Sequence, residues 1–344
     1  MLYNKYRPKK IADLVGQDAA KTFLSKIDAD SVPHTIIFYG PSGTGKTTAA
    51  RLLAKKIHCE NPTSDGDVCG VCYGCQSVEN GTTLDYMEID ATSSGGVNDI
   101  RELKDRLLLT TLSGKPRIVY IDEAHNLSKQ AFDALLKILE EESSNIFVLA
   151  TTEQQKVPKT IRTRSFEVSF LPATKEDIVA LVKRVAVEEG YSIDDKVLGM
   201  IAFIAEGSYR RALVLLEDVL MHAKTKTITE DDLEDLGHIL SVEEIDIINA
   251  FKPAFFKGDW GELMNVAKKL PTDDKKLRPI AYHMYNLAIS IVTNASKKVQ
   301  TPRKIDKARF RFISTLSEAL MPNQAITKPA LVKAIVDFLL EMYR

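Results

Sequence analysis

The 344-residue sequence has little net charge, few cysteines and no long apolar run, and these shortages exclude several classes of protein. A net charge of −1 provides no overall field that would attract nucleic acid, so any such binding has to rely on local patches. No apolar run approaches the length of a membrane-spanning helix, and residues 1–10 lack the apolar segment of a signal peptide. These absences predict a cytoplasmic protein without membrane association.

The rest of the composition is that of a globular protein with an ample core. Hydrophobic residues make up 44% and charged residues 27% of the chain. The length suits two or three domains of ordinary size. We find no internal repeat and no low-complexity tract.

The most informative stretch is a glycine-rich loop that fits the pattern G-x-x-x-x-G-K-[ST] in full. It consists of Gly40, Pro41, Ser42, Gly43, Thr44, Gly45, Lys46 and Thr47, and Thr48 follows it. A buried strand is predicted over 36–39 and an amphipathic helix over 47–57. Backbone N–H groups of such a loop, with the helix N-terminus, can surround a triphosphate. The context favours nucleotide binding over a glycine-rich turn with a stray lysine.

Two carboxylates are predicted to serve the same nucleotide. Residues 118–121 are apolar and mostly β-branched, which predicts a buried parallel strand that delivers Asp122 and Glu123 at its carboxyl end. Lys46 would neutralise the β- and γ-phosphates of ATP, while the Thr47 hydroxyl and Asp122 would hold Mg²⁺. Glu123 is the candidate base that polarises the attacking water.

The basic, aromatic N-terminal segment leaves two interpretations open. Tyr6-Arg7-Pro8 and the later Val15-Gly16-Gln17 precede the phosphate loop. An apolar segment beside such a loop could hold the adenine, which makes Tyr6, Arg7 and Val15 candidate nucleotide-binding residues. A strand or helix cap without ligand contact explains the segment equally well.

All four cysteines lie shortly after the phosphate-loop helix. Cys59, Cys69, Cys72 and Cys75 give the pattern C-x9-C-x2-C-x2-C. In a cytosolic protein such density favours a tetrahedral thiolate site for Zn²⁺ over disulfides, free thiols or a redox pair. His58 could replace one ligand, but four cysteines already complete the shell, so the zinc is predicted to be structural.

Two later segments carry weaker signals. A buried strand over 146–150 ends in Thr151 and Thr152, whose hydroxyls could contact a γ-phosphate or simply cap the strand. Arg164 lies in a loop before the strand predicted at 166–170. There it is either an arginine finger, which contacts the nucleotide of a neighbouring subunit, or a surface charge.

Strand–helix alternation ends at 171–174. Only helical periodicity follows over 173–240, and an acidic linker at 229–235 leads to a helical segment at 241–344.

The order of these motifs resembles an AAA+ ATPase. The phosphate loop, the cysteine cluster, the Asp-Glu-Ala-His and Ala-Thr-Thr strand ends, the Thr-Arg-Ser loop and the Gly-Ser-Tyr-Arg segment follow in sequence. More closely they resemble the gamma/tau subunits of the bacterial DNA polymerase III clamp loader, over most of the first 240 residues. This resemblance implies an α/β parallel-sheet AAA+ domain at 1–171 with a zinc-binding insertion at 59–75. A small helical lid at 172–240 and an all-α collar at 241–344 would follow.

The resemblance also implies roles for individual residues. Arg164 matches the arginine finger that acts in trans, Thr152 (or Thr151) matches sensor 1, and Arg210 matches sensor 2. The finger's usual Ser-Arg-Cys is Thr-Arg-Ser here, and Arg211 stands where the bacterial family often has Asp. Together with a chain that ends after the collar, these departures predict a divergent or phage-encoded relative without the tau-type extension.

The function implied is that of a clamp-loader ATPase that uses ATP, Mg²⁺ and Zn²⁺. Its expected partners are other AAA+ subunits, in a homo- or hetero-oligomer of the pentameric type, a sliding clamp and primer–template DNA. Arg101 and Lys137 are candidate DNA-facing residues, although solvated surface charges fit them equally well. The alternative is an AAA+ translocase or helicase-type motor in recombination or repair. A P-loop kinase or a catalytically silent scaffold fits the motifs less well.

Overall fold

The computed structural model describes residues 1–108, 111, 113–141, 145–229, 232, 242–257, 259–271, 277, 280–281, 284–285, 288, 312–314 and 327–343. Most of the predicted acidic linker at 229–235 lies outside these residues. So does a basic run that the sequence suggests as a solvated helix face or a phosphate track, formed by Lys297, Lys298, Arg303, Lys304, Lys307, Arg309 and Arg311.

The chain divides into two compact units, Met1–Val185 with Ala205–Glu217 and Ala186–Ile204 with Asp218–Arg344. The three-domain division with boundaries at 171 and 240 stays a prediction. Within the described part of the chain, none of the helices combines the length and apolar character needed to cross a bilayer.

Strands and helices alternate through most of the first unit. The strands of the first unit are β1 (Thr35–Tyr39), β2 (Tyr86–Asp90), β3 (Ile118–Asp122), β4 (Ile146–Thr151) and β5 (Phe166–Ser169). Those of the second unit are β6 (Ser192–Ile193) and β7 (Thr227–Ile228). The helices up to residue 222 are α1 (Leu2–Lys5), α2 (Asp18–Lys26), α3 (Lys46–His58), α4 (Tyr73–Glu79), α5 (Val97–Leu107), α6 (Lys129–Glu140), α7 (Lys159–Arg162), α8 (Lys175–Glu188), α9 (Asp195–Ala205) and α10 (Tyr209–His222). Later helices span Val242–Lys257, Trp260–Lys269 and Lys328–Tyr343.

A five-stranded sheet in the order β2-β3-β4-β1-β5 forms the centre of the first unit, and every neighbouring pair is parallel. Successive residues of β1 enter different cores, with Ile36 and Phe38 on one face and Ile37 on the other. Since helices cover both faces, polar groups are excluded from the strand centres and collect at the carboxyl edge. The predicted parallel α/β sheet is confirmed.

The cysteine segment packs directly against the helix that follows the phosphate loop. A Cβ added at Gly74 in α4 would lie 2.1 Å from the carbonyl oxygen of His58 at the end of α3. Buried Lys55 of α3 places its Nζ 2.5 Å from Glu79 Oε2 of α4. The same apolar core contains residues of the sheet, of α3 and three of the cysteines: Cys59, Cys72 and Cys75.

The second unit has an apolar core and a small sheet of its own. Stacked or tilted aromatic rings lie in this core, namely Phe251, Phe255, Phe312 and Phe338. β6 and β7 pair in parallel. The purely helical interpretation of 173–240 is therefore wrong at these two strands. A strand of two residues is too short to show the alternation by which strands are predicted.

We expect the contact at Gly74 to be sensitive to a single added methyl group. Gly74→Ala forces a Cβ against a backbone carbonyl that cannot move without shifting α3, so it should destabilise the first unit by about 1–3 kcal/mol. Gly199→Ala is the matched control, because a Cβ added at Gly199 in α9 meets no described atom within 4 Å apart from its chain neighbours and the backbone of its own helix. That change should be neutral or stabilising by up to about 1 kcal/mol. Denaturant unfolding followed by circular dichroism measures both. Equal effects of the two changes would contradict the close packing of α4 on α3.

Candidate functional site

The phosphate loop depends on close backbone contacts that two glycines permit. φ is +150° at Gly40 and +75° at Gly43, in the left-handed region where side chains are strained. An added Cβ would lie 2.1 Å from the carbonyl oxygen of Phe170 at Gly40 and 2.0 Å from Ser208 Oγ at Gly43. Only glycine fits either position, so the loop is held between the end of the sheet and the residue that precedes α10.

Lys46 is buried within this loop, with 6% of its surface exposed. Its Nζ donates hydrogen bonds to the carbonyl oxygens of Gly40 at 2.7 Å and Pro41 at 2.9 Å. Burial lowers the pKa of Lys46, while the negative charges of Glu123 and Asp122 act in the opposite direction. A buried cation whose nearest partners are neutral carbonyls is well placed to bind an anion.

A hydroxyl and a carboxylate meet beside this ammonium group. The hydroxyl of Thr47, at the start of α3, donates to Asp122 Oδ2 at 3.3 Å and lies 3.0 Å from the Tyr120 hydroxyl. Asp122 ends β3, and the parallel register brings this end to the same edge of the sheet as the phosphate loop. Oxygen donors of these two kinds suit Mg²⁺.

Glu123 has an unusual backbone and an unsatisfied carboxylate. Its φ of +46° is left-handed, which is uncommon for a residue other than glycine and turns the chain sharply after β3. Its Oε2 is buried and lies 3.4 Å from His125 Nδ1, and none of the described residues donates a hydrogen bond to it. A carboxylate oxygen in this state can accept a proton or a hydrogen bond from a water molecule.

These groups line a cleft of about 940 Å³, including its open mouth. Every residue from Ser42 to Thr48 lines it, as do Asp122 and Glu123. Gly40 and Pro41 instead contribute the carbonyl groups that hold Lys46.

The three residues predicted to contact adenine all line the cleft, namely Tyr6, Arg7 and Val15. Arg7 donates from NH2 to Asn4 Oδ1 at 3.1 Å, whereas its buried NH1 has no hydrogen-bond partner among the residues that the structure describes. Desolvation by burial lowers the pKa of Arg7, and the nearby positive charge of Arg51 lowers it further. The structure thus brings the N-terminal segment to the nucleotide cleft, and its contact with adenine stays a prediction.

Arg210 also lines the cleft, because α10 begins beside the phosphate loop. The N–H of Tyr209 donates to the carbonyl oxygen of Gly43 at 3.0 Å. The Tyr209 hydroxyl donates to the carbonyl oxygen of Val15 at 2.7 Å, and burial raises the pKa of this hydroxyl to about 12. The Arg210 guanidinium lies 5.8 Å from the ring centroid of Tyr3.

The two candidate sensor threonines differ in their surroundings. Thr151 ends β4 and is fully buried, with its Oγ1 3.2 Å from His125 Nδ1. It also accepts a hydrogen bond from the N–H of Glu153 at 2.9 Å. Thr152 is exposed, and neither threonine is among the residues that line the cleft. The choice of Thr152 as sensor stays a prediction.

Arg164 lies outside the cleft as well. It is exposed and forms an ion pair with Glu140 at the end of α6. Its guanidinium can therefore contact another molecule or simply remain in this ion pair. Its role as an arginine finger stays a prediction.

The four cysteines form a compact group. Their Sγ atoms all lie within 4.8 Å of one another, with 4.0 Å for both the Cys69–Cys75 and the Cys59–Cys72 pairs. A tetrahedral zinc site with bonds of about 2.3 Å has sulfur–sulfur edges of about 3.8 Å. Backbone N–H groups of Val71 and Cys72 lower the pKa of Cys69 to about 6, whereas burial raises the pKa of Cys59. The distances fit a tetrahedral metal ion.

The candidate DNA-facing residues lie together. Arg101 of α5 and Lys137 of α6 line one shallow groove with Lys104 and Asp133. Lys104 is paired with Glu141. The groove therefore has mixed charge with an excess of cations, and DNA contact there stays a prediction.

Sequence reasoning missed the residues that connect remote segments around the cleft. Tyr209 was recognised only as part of a motif, although its backbone and hydroxyl hold the phosphate loop and the N-terminal segment. Gln17 exchanges two hydrogen bonds with the backbone of Leu171, at 2.7 and 3.1 Å. Such pairs are separated by more than 150 residues, and no local spacing indicates them.

Comparisons with known proteins show what the chain is similar to. Residues 16–174 match the family described as DNA polymerase III, delta subunit. The chain is 41% identical over 236 residues to DNA polymerase III subunit gamma/tau of Mycoplasma pneumoniae, covering 68% of this chain and 34% of that protein. It is 37% identical over 240 residues to DNA polymerase III subunit tau of Bacillus subtilis, covering 69% of this chain and 42% of that protein.

The fold is also similar to that of a solved structure. The RuvB Holliday junction branch migration motor of Thermotoga maritima matches with a TM-score of 0.52 and 21% identity, over 87% of this chain and 94% of that one. This likeness concerns the fold alone. The chain spans between a third and about half of the length of most of the gamma/tau proteins it matches.

Proposed function

Because the chain is a relative of the bacterial DNA polymerase III gamma/tau subunits, we propose that it is the ATPase subunit of a DNA sliding-clamp loader. The observation that carries this proposal is the convergence of Lys46, Asp122 and Glu123 on one cleft in a chain with that relationship. In the proposal, ATP binding opens and holds a ring-shaped clamp. Primer–template DNA then triggers hydrolysis and release of the clamp during replication.

In this proposal the charged groups that line the cleft take part in ATP hydrolysis. Lys46 exchanges its carbonyl partners for the β- and γ-phosphates, and the N-terminus of α3 adds its partial positive charge. Thr47 and Asp122 hold Mg²⁺, which neutralises phosphate charge when it is bound. Glu123 orients the attacking water and accepts its hydrogen bond through Oε2, the oxygen to which no described residue donates a hydrogen bond.

Control of hydrolysis requires residues from more than one subunit in this proposal. Arg210 and Thr152 sense the γ-phosphate within the subunit. Arg164 releases Glu140 and reaches the nucleotide of a neighbouring subunit, which makes hydrolysis conditional on assembly. A lid at 172–240 carries Arg210, and a helical collar at 241–344 joins the subunits into a pentamer.

The remaining features have supporting roles. The four cysteines hold a structural Zn²⁺, since four thiolates leave no position for a reacting water. Arg101 and Lys137 contact DNA phosphates without reading the base sequence.

The purified, assembled loader should show ATPase activity that rises with primed DNA and sliding clamp together. Each ligand alone should stimulate less, because the proposed cycle couples clamp binding to DNA-triggered hydrolysis. A phosphate-release assay with neither, either or both ligands measures this. Stimulation by duplex DNA alone, with no effect of the clamp, would favour an AAA+ translocase instead.

Two substitutions should separate nucleotide binding from hydrolysis. Lys46→Ala should abolish ATP binding and clamp loading, since it removes the only ammonium group among the residues lining the cleft. Glu123→Gln should still bind ATP and hold the clamp, with hydrolysis slowed by at least about 100-fold. Fluorescent ATP binding and phosphate release measure the two steps. Glu102→Gln, an exposed glutamate on α5 paired with Arg106, serves as control. Normal hydrolysis by Glu123→Gln would contradict the assignment of the base.

Mixing variants tests whether Arg164 acts between subunits. Arg164→Ala should bind ATP normally yet lose about 10³-fold or more in hydrolysis, and Lys46→Ala cannot bind ATP. In a mixed assembly, an intact Arg164 from a Lys46→Ala subunit can act on ATP held by an Arg164→Ala subunit, so part of the activity should return. Arg162→Ala, which removes a neighbouring arginine paired with Glu167, should change little. Full activity of Arg164→Ala would refute the role in trans.

A further inference from the structure

Asp67 lies in the turn between the first two cysteines but contacts a segment more than 50 residues away. Its carboxylate is buried, with 8% of the residue exposed. Oδ1 accepts a hydrogen bond from the N–H of Ile11 at 3.0 Å, and Oδ2 accepts one from the N–H of Ala12 at 3.0 Å. Oδ1 also accepts from the N–H of Val68 at 2.6 Å. Three backbone donors therefore converge on one buried carboxylate.

These contacts satisfy the start of a short turn in the N-terminal segment. Within 10–14 the N–H of Asp13 donates a hydrogen bond to the carbonyl oxygen of Lys10 at 3.2 Å. The N–H of Leu14 donates one to the carbonyl oxygen of Ile11, also at 3.2 Å. The first N–H groups of such a turn have no acceptor within it. Asp67 supplies acceptors to two of them, as a capping carboxylate does at a helix N-terminus, although it comes from a remote part of the chain.

The same turn continues directly into the wall of the nucleotide cleft. Ile11 and Leu14 are buried in the apolar core that contains three of the cysteines. Leu14, Val15 and Gln17 line the cleft. At that end the segment is held by Tyr209, whose hydroxyl bonds the carbonyl oxygen of Val15. Asp67 and Tyr209 thus hold opposite ends of one short stretch that is not part of any strand.

The position of Asp67 depends in turn on the loop between Cys59 and Cys69. The N–H and the hydroxyl of Thr63 both donate to the carbonyl oxygen of Asp67, at 2.9 and 3.0 Å. Lys56 of α3 donates to the carbonyl oxygen of Gly66. Both ends of this loop are cysteines of the metal-binding group, so a bound metal ion closes it.

We propose that Asp67 is a positioning residue that couples metal occupancy of the four-cysteine group to the nucleotide affinity of the cleft. This proposal rests on the proposed nucleotide binding. When the metal is bound, the loop holds Asp67 against Ile11 and Ala12, and the wall formed by Leu14 and Val15 is ordered before the nucleotide arrives. When the metal is lost, the loop loosens and the nucleotide has to order that wall itself.

Three variants of the full chain test the coupling. Asp67→Ala removes both acceptors, and Asp67→Asn keeps one acceptor oxygen. Asp65→Asn changes an exposed aspartate of the same loop but keeps an Oδ1 that can accept the hydrogen bond from the Thr63 hydroxyl. All three should retain one zinc ion per chain by elemental analysis, because none alters a cysteine. Hydrogen exchange at the amides of Ile11 and Ala12 should be fastest in Asp67→Ala, intermediate in Asp67→Asn and unchanged in Asp65→Asn.

Binding of a fluorescent ATP analogue measures the consequence for the cleft. Asp67→Ala should bind about tenfold more weakly than wild type, and Asp65→Asn should bind like wild type. Removal of zinc by a chelator should weaken binding about tenfold in wild type but less than about twofold in Asp67→Ala, because the coupling residue is already absent.

The proposal is overturned if zinc-loaded Asp67→Ala binds the analogue as tightly as wild type. It is equally overturned if chelation weakens wild type and Asp67→Ala by the same factor. Failure of the zinc-loaded wild type itself to bind the analogue would instead refute the proposed nucleotide binding. Exchange at Ile11 and Ala12 then still reports whether Asp67 orders the N-terminal turn.

Discussion

The candidate site depends on a lysine ammonium group buried against the carbonyl oxygens of Gly40 and Pro41. Burying a cation costs free energy unless charge or hydrogen bonds compensate. Neutral carbonyls compensate in part, and the carboxylates of Asp122 and Glu123 add a longer-range attraction. A bound triphosphate would supply full negative charge at close range. An anionic ligand would therefore lower the free energy of the buried Lys46 cation. This is the physical basis for the proposed nucleotide binding at this position.

The phosphate loop and the N-terminal segment that surround Lys46 are not part of the β-sheet, so hydrogen bonds between strands do not hold them in place. The phosphate loop is held by the residues at the start of α10, and the N-terminal wall is held by single side chains, Tyr209 at one end and Asp67 at the other. Asp67 is buried and Tyr209 is half-buried, and loss of either side chain leaves its backbone partners unpaired. The walls of the cleft are thus more sensitive to single substitutions than the sheet beneath it.

Local patterns predicted the parts of the site that are contiguous in sequence. The phosphate loop, the pair Asp122–Glu123 and the cysteine spacing each lie within a short stretch, and the parallel sheet follows from runs of buried apolar residues. The contacts of Asp67, Gln17 and Tyr209 could not be predicted, because each joins segments 55 to 194 residues apart through one side chain. The strands β6 and β7 were missed for a different reason, since two residues carry no measurable period.

The placement of Arg164 constrains how the proposed reaction is controlled. Within its own chain this arginine pairs with Glu140 and does not line the cleft, whereas Arg7, Lys46, Arg184 and Arg210 do. An exposed ion pair of this kind contributes little to stability, so it can exchange Glu140 for a phosphate at small cost. Glu123 presents a carboxylate oxygen that accepts no hydrogen bond from the part of the chain that the structure describes. A single subunit would thus hold the base and the nucleotide-binding cations, and the additional positive charge that favours the transition state would arrive only with a second subunit. In such a design the subunit interface, rather than the chemistry of one cleft, decides when ATP is hydrolysed.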